Sequence, residues 1–141
     1  REIIEINRKD LSLKILPLIC YEIIYSGKLF IKQNFDLIIN ISEDGWFGKS
    51  IGPKQHFTHS IFRAIESGKY ILRSSNNGIA AIINPLGIVE QQVKFGEIGY
   101  VDLFKTKKIQ PTIFSKYGNK IFIILIFLYI FILFSFNRIK K

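Results

Sequence analysis

The chain has 141 residues, with 20 Lys and Arg against 11 Asp and Glu for a formal net charge of +9, and 48% of it is hydrophobic, including 13 Phe. That apolar content excludes a disordered chain, and the length allows one modest domain plus an appendage. A single cysteine excludes an internal disulfide and a zinc site built on this chain's thiolates alone.

The positive balance favours anionic partners, a phospholipid surface or nucleic acid. The lysines are scattered rather than gathered into one stripe, so a nucleic-acid partner is not expected. The sequence opens on Arg1, holds no methionine and shows no secretory signal at its start, the pattern expected of a fragment or a split gene.

Taken in chain order, Leu11–Ile19 is an apolar run behind Asp10 that predicts a strand ending at Pro17-Leu18-Ile19-Cys20. Tyr21 to Gln33 suggests a helix with Ile23, Ile24 and Phe30 inward, and Asp36–Ser42 suggests a buried parallel strand. A glycine-rich, aromatic loop, Glu43–Gly52, follows. Pro53 is suited to open a helix running to Ser67, with Gly68 to stop it and Phe57, Ile61, Ala64 and Ile65 on one face. Lys69–Ser75 and Gly78–Asn84 read as strands about Asn76-Asn77, with Asn77-Gly78 a hairpin signal. Ile88–Lys94 and Gly99–Phe104 complete a β-rich tail. Strand, helix, strand, helix and then hairpins indicate an α/β layered domain over 1–108, with a connector over 109–118.

From Ile121 to Phe136 the chain runs sixteen residues without a charge. At about 1.5 Å per residue the run spans roughly 24 Å, short of the ~30 Å hydrocarbon core. Lys120 and Arg138 can snorkel, and Tyr117, Asn119 and Asn137 suit an interface, so a transmembrane helix is expected over 119–137 with a basic tail over 138–141. Arg138, Lys140 and Lys141 favour a cytoplasmic C-terminus.

Cys20 is the leading candidate for chemistry. A thiol where a strand meets a helix N-terminus gains from the helix dipole, which favours the nucleophilic thiolate, and the Tyr21 N–H would point where an oxyanion forms. Position alone also fits a buried cysteine acting as a small hydrophobe. Glu22, in the first turn, fits a favourable contact with the helix N-terminus rather than a general base. His56 and His59 could bind a metal at their i, i+3 spacing, but no further ligand set accompanies them, so a surface or capping role is expected and no metal. Trp46 and Phe47 are either core plugs or an exposed loop tip that dips into headgroups. Arg63, Glu66 and Arg73 fit a buried ionic network or a solvated face.

The run Pro17-Leu18-Ile19-Cys20-Tyr21-Glu22 is followed by Asn40-Ile41-Ser42-Glu43-Asp44-Gly45-Trp46-Phe47-Gly48 and Gly52-Pro53-Lys54-Gln55-His56. Arg63-Ala64-Ile65-Glu66-Ser67-Gly68 and Leu72-Arg73-Ser74-Ser75-Asn76-Asn77-Gly78 continue the series. In this order they resemble the bacterial apolipoprotein N-acyltransferases over nearly the whole chain. The resemblance implies a nitrilase-like αββα sandwich, here partial, on the periplasmic face of the bacterial inner membrane and followed by one C-terminal transmembrane helix. It implies transfer of an acyl chain from a phospholipid donor to the free amine of an apolipoprotein acceptor through a cysteine thioester, without a cofactor.

Carried over, Cys20 matches the nucleophile, and Tyr21 and Glu22 match its important neighbours. The family's glutamate base and oxyanion lysine lie upstream of these motifs, so this stretch alone is expected to be inactive. Glu43 stands where the family pattern has Asn. Two other readings remain on the sequence: a membrane-anchored amidase of the same superfamily, and a non-catalytic remnant of a split gene.

Overall fold

A computed structural model describes residues 2–9, 11–27, 34–107 and 109–139, the side chains of 137–139 excepted. Six strands form one mixed sheet in sequence order: β1 (Ile4–Arg8), β2 (Leu11–Ile19), β3 (Leu37–Glu43), β4 (Tyr70–Asn76), β5 (Ala80–Ile83) and β6 (Val89–Val93). The three central strands β2, β3 and β4 are parallel, and β1, β5 and β6 join antiparallel. The β3–β4 connection is α1 (Gly52–Ser67), the helical crossover that parallel neighbours require.

The central strands are apolar over much of their length because they bury side chains on both faces. Under α1 lie Leu16, Leu18, Ile38, Ile71 and Ile83, joined from the helix by Phe57 and Ala64. The opposite face carries Ile15, Leu37, Tyr70 and Ile82, with Val101 and Leu103 packed against them. Further along that face Ile4, Ile6, Leu11, Ile19 and Ile41 are exposed.

The strands expected over Leu11–Ile19, Asp36–Ser42, Lys69–Ser75, Gly78–Asn84 and Ile88–Lys94 are present within a few residues at each end. Pro53 sits in the first turn of α1, and Gly68 ends it in the left-handed conformation at φ 66°.

Three expectations need correction. The helix expected from Tyr21 begins as a 3-10 turn, Cys20–Ile24; its remainder over 28–33, including Phe30, lies outside the described residues, as does Asp10. Gly99–Phe104 is not a strand, because its backbone pairs with a side chain: Gln91 Nε2 donates to the Asp102 carbonyl at 3.0 Å, and Asp102 N–H donates to Gln91 Oε1 at 3.3 Å. Ile65 stands at the exposed rim of α1 rather than in its buried face. The hairpin signalled by Asn77-Gly78 is present as the antiparallel β4–β5 pair, with Asn77 at φ 52° in the left-handed position of its turn.

Past the sheet, α2 (Ile113–Tyr117) is capped by Thr112, whose hydroxyl accepts from Ser115 N–H and donates to the Glu66 carbonyl. The apolar run forms α3 (Lys120–Ile139), with side chains described as far as Phe136. Among the described residues no helix is long and apolar enough to cross a membrane, so the span expected over 119–137 is not shown. Lys140 and Lys141 lie outside the described residues.

Candidate active site

β2, β3 and β4 end at Ile19, Glu43 and Asn76, one above the other at the carboxyl edge of the sheet. That edge is where open α/β sheets present their chemistry. Cys20 is the first residue beyond β2. Its φ is 46°, in the left-handed region that a residue with a Cβ adopts only when its surroundings enforce it.

The enforcement is visible on both sides of the turn. Glu22 folds back so that Oε2 accepts from Ile19 N–H at 2.8 Å. From β3, Asn40 Nδ2 donates to the carbonyls of Leu18 at 3.0 Å and Cys20 at 3.4 Å. Farther on, Arg63 Nη1 donates to the Ile24 carbonyl at 3.3 Å and Arg63 Nη2 pairs with Glu66 at 2.9 Å, while Ser26 donates to the same carboxylate. Burial pushes the Glu66 carboxyl up from its ordinary value, against the pull of Ser26 and Arg63. Two polar clusters thus hold the turn, one on each side of Ile23, which is fully buried.

Cys20 itself is half-buried. Ser42 Oγ stands 3.7 Å from its sulfur, and the Glu43 carbonyl lies at 3.9 Å. Behind Ser42 lies a buried polar network. Asp44 accepts from Ser42 at 3.0 Å, His56 Nδ1 at 2.7 Å, Arg73 Nη2 at 2.8 Å and Ser75 at 2.8 Å. Arg73 Nη1 donates to Asn40 Oδ1 and, at 3.3 Å, to Ser60. Burial pushes the Asp44 carboxyl up, but the His56 hydrogen bond and the Arg73 charge outweigh it and hold the group well below the usual carboxylate range. Burial pushes the Arg73 guanidinium down, opposed first by Asp44 and then by the negative charge Cys20 can carry.

The sequence candidates divide accordingly. Cys20, Tyr21 and Glu22 come together at the sheet edge. Trp46 is 88% exposed at the tip of the loop, whereas Phe47 folds inward with its ring centroid 5.7 Å from that of His56. The loop thus holds one exposed aromatic and one plug. Gly52 makes room for the plug, since a Cβ there would meet the Phe47 ring.

His56 is neither a surface nor a capping residue. It is 2% exposed, with Tyr21 and Phe47 against its ring. His59, half-buried, is pushed down from its ordinary value by burial and by the charges of Arg63 and His56. Among the described residues no group of three or more His, Cys, Asp or Glu is placed to hold a metal ion. Arg63 and Glu66 form one buried pair, and Arg73 belongs to the other cluster with Asp44.

Sequence reasoning missed Asn40, Ser42, Asp44, Ser60 and Ser75. The available signal was the period: His56, Ser60, Arg63 and Ser67 recur at helical spacing and all face inward on α1. Glu43, the departure from the family pattern, accepts from Gly45 N–H at 2.7 Å and from Asn76 Nδ2, tying the start of the Trp46 loop to the β4–β5 turn.

The carbon-nitrogen hydrolase family model matches residues 2–104. The chain is 50% identical over 125 residues to an apolipoprotein N-acyltransferase of Rickettsia bellii, covering 86% of this chain and 24% of the relative. It is 47% identical over 115 residues to that of Rickettsia prowazekii, covering 79% of this chain and 23% of the relative. It therefore spans about a quarter of the length of these curated relatives. The fold is similar, at a TM-score of 0.52 and 19% identity, to a CN-hydrolase superfamily protein of Xanthomonas campestris, over 70% of this chain and 42% of that one. With the family match running through every strand and the helical crossover of the sheet, the chain belongs to the carbon-nitrogen hydrolase family.

Proposed function

We propose that this chain carries the nucleophile of an acyl transfer from a phospholipid to the N-terminal amine of a diacylglyceryl-cysteine apolipoprotein, with Cys20 holding the acyl group as a thioester. The observation that carries the reading is the sulfur's position: half-buried at the carboxyl edge of the sheet, in a left-handed turn, with a serine hydroxyl at 3.7 Å. A cysteine kept as packing would need neither the enforced φ nor the polar network behind it. Thiolate attack on an ester divides a hard transfer into two easier ones and releases the first product before the second substrate enters. Tyr21 contributes the N–H nearest the developing oxyanion, and Glu22 holds the turn through Ile19.

The lipid side of the reading rests on α3 and Trp46. The sixteen uncharged residues from Ile121 to Phe136 span roughly 24 Å of a ~30 Å hydrocarbon core, with Lys120 and Arg138 flanking them in the sequence. The side chains from Phe122 to Phe134 are 41% to 70% exposed on every face of the helix. In this reading residues 119–137 lie in the bacterial inner membrane, with residues 1–108 on the periplasmic side, 109–118 linking them and the tail 138–141 cytoplasmic. Trp46 enters the headgroup layer, where an exposed indole is favoured. The exposed apolar face formed by Ile4, Ile6, Leu11, Ile19 and Ile41 takes a second sheet, completing an αββα sandwich.

The stretch 1–141 alone is proposed to turn over no substrate, since the resemblance assigns none of its residues as general base or oxyanion lysine. Lipid contact is the feature that favours acyl transfer over a small-amide hydrolase.

The test is made on membranes containing the protein that bears this chain. Incubation with phospholipid should add a hydroxylamine-sensitive fatty acyl mass to the peptide containing Cys20. Cys20→Ser should remove that adduct, and its persistence in the serine variant would sink the assignment.

A further inference from the structure

Ser42 is buried, carries one hydroxyl proton and stands near three groups that could accept it. Asp44 Oδ1 lies 3.0 Å away, His56 Nδ1 3.4 Å and the sulfur of Cys20 3.7 Å. His56 drops out first. Against its burial, Asp44 is held ionised by the His56 hydrogen bond and the Arg73 charge. An ionised carboxylate only accepts, so His56 Nδ1, 2.7 Å from Asp44 Oδ1, carries a proton and has no lone pair to offer.

The choice lies between a carboxylate and a sulfur, and it turns on the charge of the sulfur. A neutral thiol is a weak acceptor, so in that state the hydroxyl proton points to Asp44. A thiolate is a full negative charge, and hydrogen bonds to charged groups are about twice as strong as neutral ones. The Glu43 carbonyl, 3.9 Å from the sulfur, is itself an acceptor and gives a thiolate nothing. Asp44 can release Ser42, because it keeps three donors in His56 Nδ1, Arg73 Nη2 and Ser75 Oγ, and its charge stays matched by Arg73. The move is a turn of the hydroxyl about its own C–O bond.

We propose that Ser42 is a further catalytic residue, whose hydroxyl turns from Asp44 to Cys20 Sγ when the thiol ionises and donates a hydrogen bond to the thiolate. The inference rests on Cys20 being the nucleophile of the acyl-transfer reading. The hydroxyl keeps its own proton throughout and is neither base nor acid; the thiol proton goes to the base that the resemblance places upstream of these motifs. Ser42 serves the sulfur only while it is charged, before it attacks the ester and after the thioester C–S bond has returned its electron pair. Between those moments the sulfur is acylated and the hydroxyl lies back on Asp44.

The test is the pH profile of Cys20 alkylation by iodoacetamide in the full chain, read by mass on the peptide containing Cys20. A hydrogen bond that stabilises a thiolate also makes it a poorer nucleophile, with a sensitivity of about 0.4–0.5. Losing that bond in Ser42→Ala should cut ionisation by about tenfold, the low end for a bond to a charged group. The same loss should make each remaining thiolate about threefold more reactive. The variant should therefore react about threefold more slowly on the acid limb and about threefold faster on the alkaline plateau. The surrounding charges are common to both proteins: Asp44 paired with Arg73, Glu43 on Gly45 and Asn76, and Glu22 on the Ile19 N–H.

A merely structural role would move both limbs in one direction, and that result, or identical profiles, overturns the proposal. Ser42→Thr retains the hydroxyl and should keep the wild-type profile; a threonine profile that matches the alanine one also overturns it. The wild type gives a second readout that needs no variant. The His56 Nδ1 proton resonance should move downfield over the pH range in which alkylation rises, because Asp44 loses a competing donor there. A resonance that stays in place overturns the turn of the hydroxyl. If phospholipid never acylates Cys20 while the alkylation profiles still cross, the acyl-transfer reading fails and the contact with the thiolate stands.

Discussion

Arg73 and Asp44 form an ion pair at 2.8 Å in which both side chains are completely removed from solvent, one strand away from the candidate nucleophile. Neither is replaceable by charge alone. The Arg73 fork reaches Asn40 and Ser60 through Nη1 and Asp44 through Nη2, and Asn40 then binds the Cys20 carbonyl. Removing either partner leaves the other charge buried and uncompensated. Arg73→Ala and Asp44→Ala should each lower the unfolding free energy by about 3–5 kcal/mol, read from urea denaturation of the chain. The double variant should lose less than the sum of the singles. Arg73→Lys should not rescue, because a point charge cannot bridge Asn40 and Asp44 together.

The same carboxylate sets a pH dependence. In the folded chain Asp44 is held below its ordinary value, while unfolded it titrates near about 3.9. The unfolded state therefore binds the proton first, and the contribution of Asp44 is complete above that pH and is lost as pH falls toward the folded value. His59, also pushed down, acts in the same direction at higher pH, since the unfolded imidazole takes its proton near about 6.5. The Asp44 and His59 contributions should thus fall on acidification in two stages, one beginning near pH 6.5 and one below about pH 4, while Glu66, pushed up by burial, acts in the opposite direction. His59→Gln should flatten the first without altering the second, measured as urea midpoints across pH.

The strands were legible because β2, β3 and β4 bury side chains on both faces and are apolar over much of their length. Pro53 and Gly68 marked α1 through backbone constraints that act within a few residues. The site was legible only at Cys20, Tyr21 and Glu22. Its larger part was hidden because α1 buries His56, Ser60, Arg63 and Ser67 beside Phe57 and Ala64, so hydrophobic spacing describes half of the inward face. β1 was hidden for the opposite reason: Ile4–Arg8 is exposed along its whole length, and only its pairing with β2 makes it a strand.

Gly78 explains itself by space rather than by backbone freedom. A Cβ at this position would collide with the Asp44 carboxylate and the Ser75 hydroxyl. Gly78→Ala should push Asp44 off its partners and cost about 1–3 kcal/mol, the usual range for overpacking. The same substitution at Gly48, where a Cβ meets nothing within 4 Å, should cost only the strain of φ 53°. Comparison of the two by thermal unfolding isolates the collision.

The left-handed turn at Cys20 stores strain that its own substitution can reveal. A residue with a Cβ at φ 46° carries about 1–2 kcal/mol that glycine does not. Part of that gain is offset by the greater freedom of glycine in the unfolded chain. Cys20→Gly should therefore be more stable than Cys20→Ala by up to about 1 kcal/mol, although it deletes the same sulfur. An alanine variant as stable as the glycine variant would mean that the turn relaxes to a common conformation once the thiol is gone.

The depth of α3 can be read with a single fluorophore. Trp46 is the only tryptophan, so replacing it with Phe and adding Tyr129→Trp moves the indole to the middle of the helix. If α3 lies across the bilayer, emission from the relocated indole in phospholipid vesicles should shift to the blue and be quenched by lipids brominated near the chain ends. The native Trp46 should respond to bromine near the headgroup instead. Ile126→Lys should oppose insertion, since a central Lys costs about 2.5–3.5 kcal/mol in a spanning helix. A helix that merely packs against another protein would bury its ring without sensing the brominated chains, and water-like emission from the Tyr129→Trp variant in vesicles would remove the membrane anchor from the proposed function.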